Sequence, residues 1–391
     1  MKYVMVLTTV VVLLVIVPLG AAQNSPSVSS KSHLLLSAAA KSPGTAAQAG
    51  WEKKWQDTLE AAKQEGEVMI YMNVPTDARA VLSDAFFKKF GLKLNATTAS
   101  GADLQGKLIS EYRAGINQVD VFMPGGTSTI NAKKQGILTL IEPLLILPEV
   151  RDPKAWLYGK LPFFDRDGMV LAYLALRNPN IFYNADLVKE GEITSYSDLL
   201  KPNWKGKIVM YDPTIPGAAL SGSYFLSLDW GGNEKVYEYI LSLIKQQDAV
   251  MTRDMRQQVE WVARGKSLVA LWPQLPATSQ FLKAGAPLAA ASLKEKGRVG
   301  SSNGALGMPV KPPHPNAAIV FLNWFLSREG QAVAVKAIGA GSARTDVAPE
   351  GVHSVYIPKP DEKYHLEIEE TIQSRPQFQG GLKKVLSQLN K

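Results

Sequence analysis

The residues best suited to chemistry stand where apolar runs give way to small or polar ones. Leu268-Val-Ala-Leu-Trp272 reads as a buried strand that stops at Pro273, which cannot donate to a sheet ladder, and Gln274 begins a polar turn. Asp212-Pro213-Thr214-Ile215-Pro216-Gly217 follows Ile208-Val-Met-Tyr211 in the same way, and Thr252-Arg253 follows Ala249-Val-Met251. Earlier in the chain Ser100-Gly101 and Pro124-Gly125-Gly126-Thr127 each join a strand to a helix. Helix N-termini offer free N–H groups and the positive end of the peptide dipole, so they favour anions. Glycines at 101, 125 and 126 let backbone approach a ligand closely. Arg253 presents a fork that matches a carboxylate or phosphate, and Arg177 is a second candidate. Trp272 offers a flat apolar wall. Such groups suit the holding of a small organic molecule or an anion.

Each residue also has a purely structural reading. Ser100, Thr127, Thr214 and Thr252 could be helix N-caps, Arg177 and Arg253 could serve internal ion pairs, and Trp272 could be core. Bond-making motifs are absent. There is no G-x-S-x-G; "ARGKS" lacks the upstream glycine and strand of a phosphate loop, and "GAGSAR" lacks a third glycine and follows a helix. The histidines at 33, 314, 353 and 365 are dispersed, and His314, between prolines and before Asn316, reads as helix-start chemistry with Asn316 as the cap. Asp212 is alone and reads as turn chemistry. No enzyme, no metal site and no cofactor is expected.

These loops need strands to hold them. Strands over "EVMIYMN", "LKLNATT" and "VDVFMPG" alternate with helices over Asp77–Phe90, "SGADLQGKLISEYRAG" and Ser128–Gln135, the pattern of an open, mainly parallel sheet. Extended segments "MVLAYLALR" and "NIFYN" follow. A second α/β run spans residues 171 to 298, with helices near Gly217–Leu228, Glu234–Lys245 and "RQQVEWVARG". "GALGMPV" is extended, and "PHPNAAIVFLNWFLSREGQAVAVKA" reads as one long helix. A further helix is expected from Trp51 to Gln64.

The 391 residues, 46% apolar and 20% charged, allow two globular domains. The chain has no cysteine, which excludes disulfides, thiolate metal sites and a lipidated cysteine. Residues 1–22 carry one lysine and a short apolar run ending in small residues, an export signal or signal anchor. Residues 23–50, rich in Ser, Ala, Pro and Lys, read as a flexible tether. The net charge is +8, but Lys2, Lys31 and Lys41 precede Trp51 with no acid beside them, leaving 40 bases against 35 acids in the body. Those bases are scattered, so nucleic acid is not an expected partner.

"GEVMIYMNVPTDARAVLSDAFFKKFGLKL", "SGADLQGKLISEYRAGINQVDVFM", "IFYNADLVKEGEITSYSDLLKPNWKGKIVMYDPT", "RQQVEWVARGKSLVAL", "PHPNAAIVFLNWFLSREGQ" and "SARTDVAPEG" resemble the extracellular solute-binding proteins of ABC importers, nearest the branch named for ferric-ion transport. The resemblance runs from about Gly66 to Gly351. It implies a type II periplasmic-binding-protein fold: two α/β lobes, each a mixed, mainly parallel sheet flanked by helices, with the ligand in the cleft. On that template residues 51–170 with 300–350 form lobe 1, 171–299 form lobe 2, and 351–391 pack back on the lobes. It also implies a monomer, exported to the periplasm or the outer membrane face, that hands its solute to a permease.

In the ferric-ion branch two adjacent tyrosines follow the strand matching Ser267–Trp272, with an imidazole and a carboxylate from lobe 1. Here that stretch reads Trp272-Pro273-Gln274, and the lobe 1 loops read Asn73-Val74-Pro75-Thr76 and Met123-Pro124-Gly125-Gly126. Ferric iron needs anionic oxygen ligands, and these loops hold none; Tyr173 or Tyr224 would have to take over. The expected ligand contacts are Asn73, Pro75, Thr76, Ser100, Gly101, Gly125, Gly126, Thr127, Arg177, Thr214, Ile215, Thr252, Arg253, Trp272 and Gln274. The alternatives are a ferric ion or ferric chelate, and a ligand sensor outside transport.

Overall fold

Strands whose residues alternate between two apolar faces need helices on both sides, and the molecule is built that way. The computed structural model describes residues 43–300, 304–359 and 362–390. The signal read over 1–22 and most of the tether over 23–50 lie outside them. The tether reading ends early, because a helix already begins at Pro43 and runs to Glu65.

The first sheet has the order Lys93–Thr98, Glu67–Met72, Val121–Met123, all parallel. Val68, Ile70 and Met72 with Val121 and Met123 face the helix Pro315–Leu326, whose Val320, Phe321 and Trp324 are buried. Tyr71 and Phe122 turn to the other face, against Leu104, Leu108 and Ile130 of the helices Gly101–Arg113 and Gly126–Lys134. Each such fully buried side chain contributes roughly 1.5–3 kcal/mol.

The second sheet has five strands, in the order Leu288–Ala290, Ile181–Asn184, Val269–Leu271, Ile208–Tyr211, Val250–Thr252. The last three are parallel and Ile181–Asn184 is antiparallel to both neighbours. Ile208–Tyr211 is buried along its whole length, which explains a continuous apolar run in place of alternation. Ile208, Met210, Val269 and Leu271 join a core with the helices Ala218–Trp230 and Asn233–Lys245. Val209 and Ala270 face the opposite way, toward Val259 and Val262 of Met255–Ala263.

A third, small sheet links these regions. Gly297–Gly300 pairs antiparallel with Leu176–Arg177 and parallel with Tyr364–Leu366. The apolar cluster of the first sheet continues along Leu171, Tyr173, Leu174 and Leu176 to the second sheet.

The helix expected over Pro313–Ala337 is two helices, Pro315–Leu326 and Arg328–Ile338. Ser327 is extended and its hydroxyl accepts from the Gly330 N–H, so it ends one helix and caps the next. A Cβ on Gly330 would lie 2.0 Å from the Trp324 carbonyl oxygen, so only glycine fits this corner. His314 precedes the first of these helices, as read, but its imidazole Nδ1 lies 2.9 Å from Asp120. Asn316 is not the cap. Glu65 accepts from the Asn316 and Ala317 N–H groups across the fold. Among the described residues no helix is long and apolar enough to cross a membrane.

The chain closes with the helix Glu369–Leu386. Its Phe378, Leu382 and Leu386 lie in the core of the second sheet.

Candidate functional site

Parallel pairing puts the C-terminal ends of strands at one edge, and each of the two main sheets gathers its candidate loops there. At the first sheet the Asn73 N–H donates to the Met123 carbonyl at 3.1 Å, holding the 73–76 loop beside the 124–127 loop. A Cβ on Gly101 would fall 2.9 Å from the Pro124 carbonyl oxygen, so the 100–101 turn touches the same loop. Three helices start here, at Thr76, Gly101 and Gly126. Pro75 and Gly125 precede two of them and neither gives a side-chain cap. Gly125 has φ 110, where a side chain would be strained. Thr76 and Thr127 are exposed in the first turns of their helices. Gly126 is buried under Phe164, whose ring would meet a Cβ at 3.0 Å.

The second edge is held by side chains. Asp212 is buried; its Oδ1 accepts from the Thr214 hydroxyl and N–H at 2.6 and 2.8 Å, and its Oδ2 accepts from Arg253 Nε at 2.8 Å. Burial pushes this carboxyl up, and the donors from Thr214 and Arg253 outweigh it, so it sits below the usual carboxylate value. The Arg253 side chain is 71% exposed, so its two terminal amino groups stay open to solvent while Nε is anchored. Gln274 Oε1 accepts from the Ala218 N–H at 3.2 Å, bridging two helix starts. Gly217, at φ 137, leaves the room for that amide. Ile215 is half-buried against the second core.

The four hydroxyls with a capping alternative divide. Ser100 is a cap: its oxygen accepts from the Asp103 N–H. Thr127 lies after its cap, Gly125, and the helix after Thr252 is capped by Asp254, which accepts from the Arg256 and Gln257 N–H groups. Thr252 instead donates to Gln257, and Thr214 belongs to the Asp212 turn.

Two expected contacts are corrected. Trp272 is 1% exposed and cannot form a ligand wall in this conformation. Its backbone takes φ 52, which turns the ring onto the Ala218–Trp230 helix, and its Nε1 donates to the Tyr196 hydroxyl at 3.3 Å. The seat is Gly222, where a Cβ would lie 2.5 Å from the indole. Arg177 is 7% exposed and makes a two-bond ion pair with Glu362, at 2.9 and 3.1 Å, with a third bond to the Val355 carbonyl. No donor is left for a ligand on its Nε side, and it sits in the third sheet, paired with Val299. Tyr173 and Tyr224 are likewise core residues, and burial pushes the Tyr173 phenol well above its ordinary value.

Sequence reading missed Asp212 as the anchor of Arg253, Phe164 as the cover of Gly126, and Gly222 as the seat of Trp272. The first had a signal, an Asp two residues before a Thr at a strand end. The others depend on contacts between distant segments.

The profile of the bacterial extracellular solute-binding proteins matches residues 81–359. Solved structures share the fold. The chain is 20% identical to the Trichodesmium protein IdiA (FutA), in complex with iron and citrate, with a TM-score of 0.63 over 82% of this chain and 99% of that one. It is 19% identical to the periplasmic binding protein AfuA of Actinobacillus pleuropneumoniae, with fructose-6-phosphate bound, at a TM-score of 0.59 over 81% and 97%. It is 16% identical to iron-bound HitA of Pseudomonas aeruginosa, at 0.59 over 82% and 99%. The fold is therefore that of the two-lobe periplasmic binding proteins.

Proposed function

Because this chain belongs to the bacterial extracellular solute-binding proteins, we propose that it is the receptor of an ABC importer for a small organic oxyanion. On this reading it works outside the cytoplasm, closes its lobes on the solute and hands the closed complex to a permease. Lobe 1 is residues 51–170 with 300–350, lobe 2 is 171–299, and the ligand lies between Asn73, Thr76, Gly125, Gly126 and Thr127 on one side and Arg253 and Gln274 on the other.

The observation that supports this most is the Asp212–Arg253 pair. The buried carboxylate holds Nε and aims a guanidinium whose remaining donors are exposed, a preorganised arrangement for a carboxylate or phosphate. Further donors stand at the two edges: backbone N–H groups at helix starts, hydroxyls and an amide. A solute that contacts both edges binds the closed state better and shifts the population toward it. No step of bond chemistry is required of these residues.

The neighbour with iron and citrate sharpens the test. Free Fe³⁺ needs anionic ligands, and Tyr173 and Tyr224 are in the cores, whereas a ferric chelate presents carboxylates to the same donors. The purified chain is screened by thermal shift and native mass spectrometry against phosphate esters, carboxylates, ferric citrate, free Fe³⁺ and polyamines. A shift with an oxyanion that Arg253→Ala abolishes is the expected result. Saturation by free Fe³⁺ with a phenolate charge-transfer band, or a polyamine shift unaffected by Arg253→Ala, overturns the reading.

A further inference from the structure

The C-terminal helix touches both lobes, and its sequence changes character between the two contacts. Its first turn is held by lobe 1. The Glu369 N–H donates to the Phe164 carbonyl at 2.8 Å, and Glu369 Oε2 accepts from Lys133 at 2.7 Å. Lys133 is on the helix that starts at Gly126, and its ammonium also meets Asp165 at 2.9 Å and Asp167 at 2.6 Å. Glu370 pairs with Arg166 at 2.6 Å, and Ile372 is buried with Phe122, Ile130 and Phe164. The later turns are held by lobe 2. Phe378 packs 5.8 Å from Tyr224 and 5.2 Å from Tyr237, ring centre to ring centre, and the Tyr237 hydroxyl donates to the Phe378 carbonyl. Gln379 Nε2 donates to the Thr214 carbonyl at 2.7 Å, inside a candidate ligand loop.

Pro376 stands between Ile372 and Phe378, inside the helix. It has no N–H for the Ile372 carbonyl, and its ring crowds that turn, so the helical ladder is weakest at the changeover between lobes. The rigid half ahead of it rides with the Gly126 helix, and the half beyond it rides with the Thr214 loop.

We propose that the helix Glu369–Leu386 is a jointed strap across the interlobe hinge, bending at Pro376, and that it restrains how far the lobes separate before any solute arrives. Closing motions place a few residues under large backbone change, and a proline-weakened turn spanning both lobes is positioned to take it. The strap also links the two edges mechanically, since each anchor adjoins a loop of the candidate site. This inference rests on the two-lobe fold and not on the class of solute, so it can fail while the receptor reading stands.

The test is made on the full chain with no solute added. The sequence lacks cysteine, so Lys88→Cys on lobe 1 and Glu238→Cys on lobe 2, both exposed, take spin labels cleanly. In the background Glu369→Ala with Glu370→Ala, amide exchange at 369–374 should quicken by about tenfold while 377–386 keep their protection. The interlobe distance distribution should broaden. In Pro376→Ala, where the ladder is restored, the distribution should narrow. An unchanged distribution in either variant overturns the proposal, and so does loss of protection along the whole helix at once, which would mean one rigid element without a joint.

Discussion

The two edges that face the proposed cleft are built on opposite plans. The first sheet's edge presents backbone: helix starts at Thr76 and Gly126 without side-chain caps, and exposed hydroxyls at 76 and 127. The second sheet's edge presents side chains already tied to one another, Asp212 to Thr214 and Arg253, and Gln274 to the Ala218 N–H. A backbone cradle accepts whatever shape brings negative charge. A prebuilt side-chain set fixes where that charge must lie. On the proposed reading the first edge captures and the second discriminates, and changes among the linked side chains of the second edge should disturb folding more than changes of the exposed hydroxyls at 76 and 127.

The largest effect expected from breaking this contrast is at Trp272. Trp272→Ala empties a filled seat in the second core and should cost about 3–5 kcal/mol in chemical denaturation. Next is Asp212→Ala, which leaves the Thr214 groups and Arg253 without their acceptor and should cost about 1–3 kcal/mol near neutral pH. Its pH dependence follows from sign. The folded carboxyl lies below its ordinary value of 3.8, so its contribution is full above that pH and is lost as pH falls through the folded value. The difference in denaturation midpoint between parent and Asp212→Ala should therefore shrink in acid. Ser100→Ala removes a helix cap and should cost about 1 kcal/mol. Smallest is Thr76→Val with Thr127→Val, which should change stability by no more than about 0.5 kcal/mol yet weaken the thermal shift given by an oxyanion. A destabilisation there as large as that at Asp212 would erase the distinction between the edges.

The strands and helices that position the site were legible because their patterns are local. Glu67–Met72 and Lys93–Thr98 each stand within a residue or two of the segments read from alternation, and the loops at their ends follow from the parallel order. What escaped were features set by partners far away in sequence. Trp272 looked like a surface at a strand end; its burial depends on a left-handed backbone and on a glycine at 222 that belongs to another helix. Arg177 looked free until Glu362 was placed beside it. The third sheet uses strands as short as Leu176–Arg177, too short to carry a periodicity, and the break at Ser327 interrupts an apolar pattern that is itself continuous. Strand ends could be predicted, but which side chains they leave unpaired could not.

Gly222 and Trp272 also bear on the history of the chain. With the indole in place, a methyl group at 222 has nowhere to go. A lineage can trade the tryptophan for a smaller residue first and then fill position 222, but the reverse order passes through an overpacked core. The pair should be inherited together, and relatives with a side chain at 222 should have already given up the ring at 272. Alignment of those two columns would show the order of events as an empty quadrant: Trp at 272 without Gly at 222.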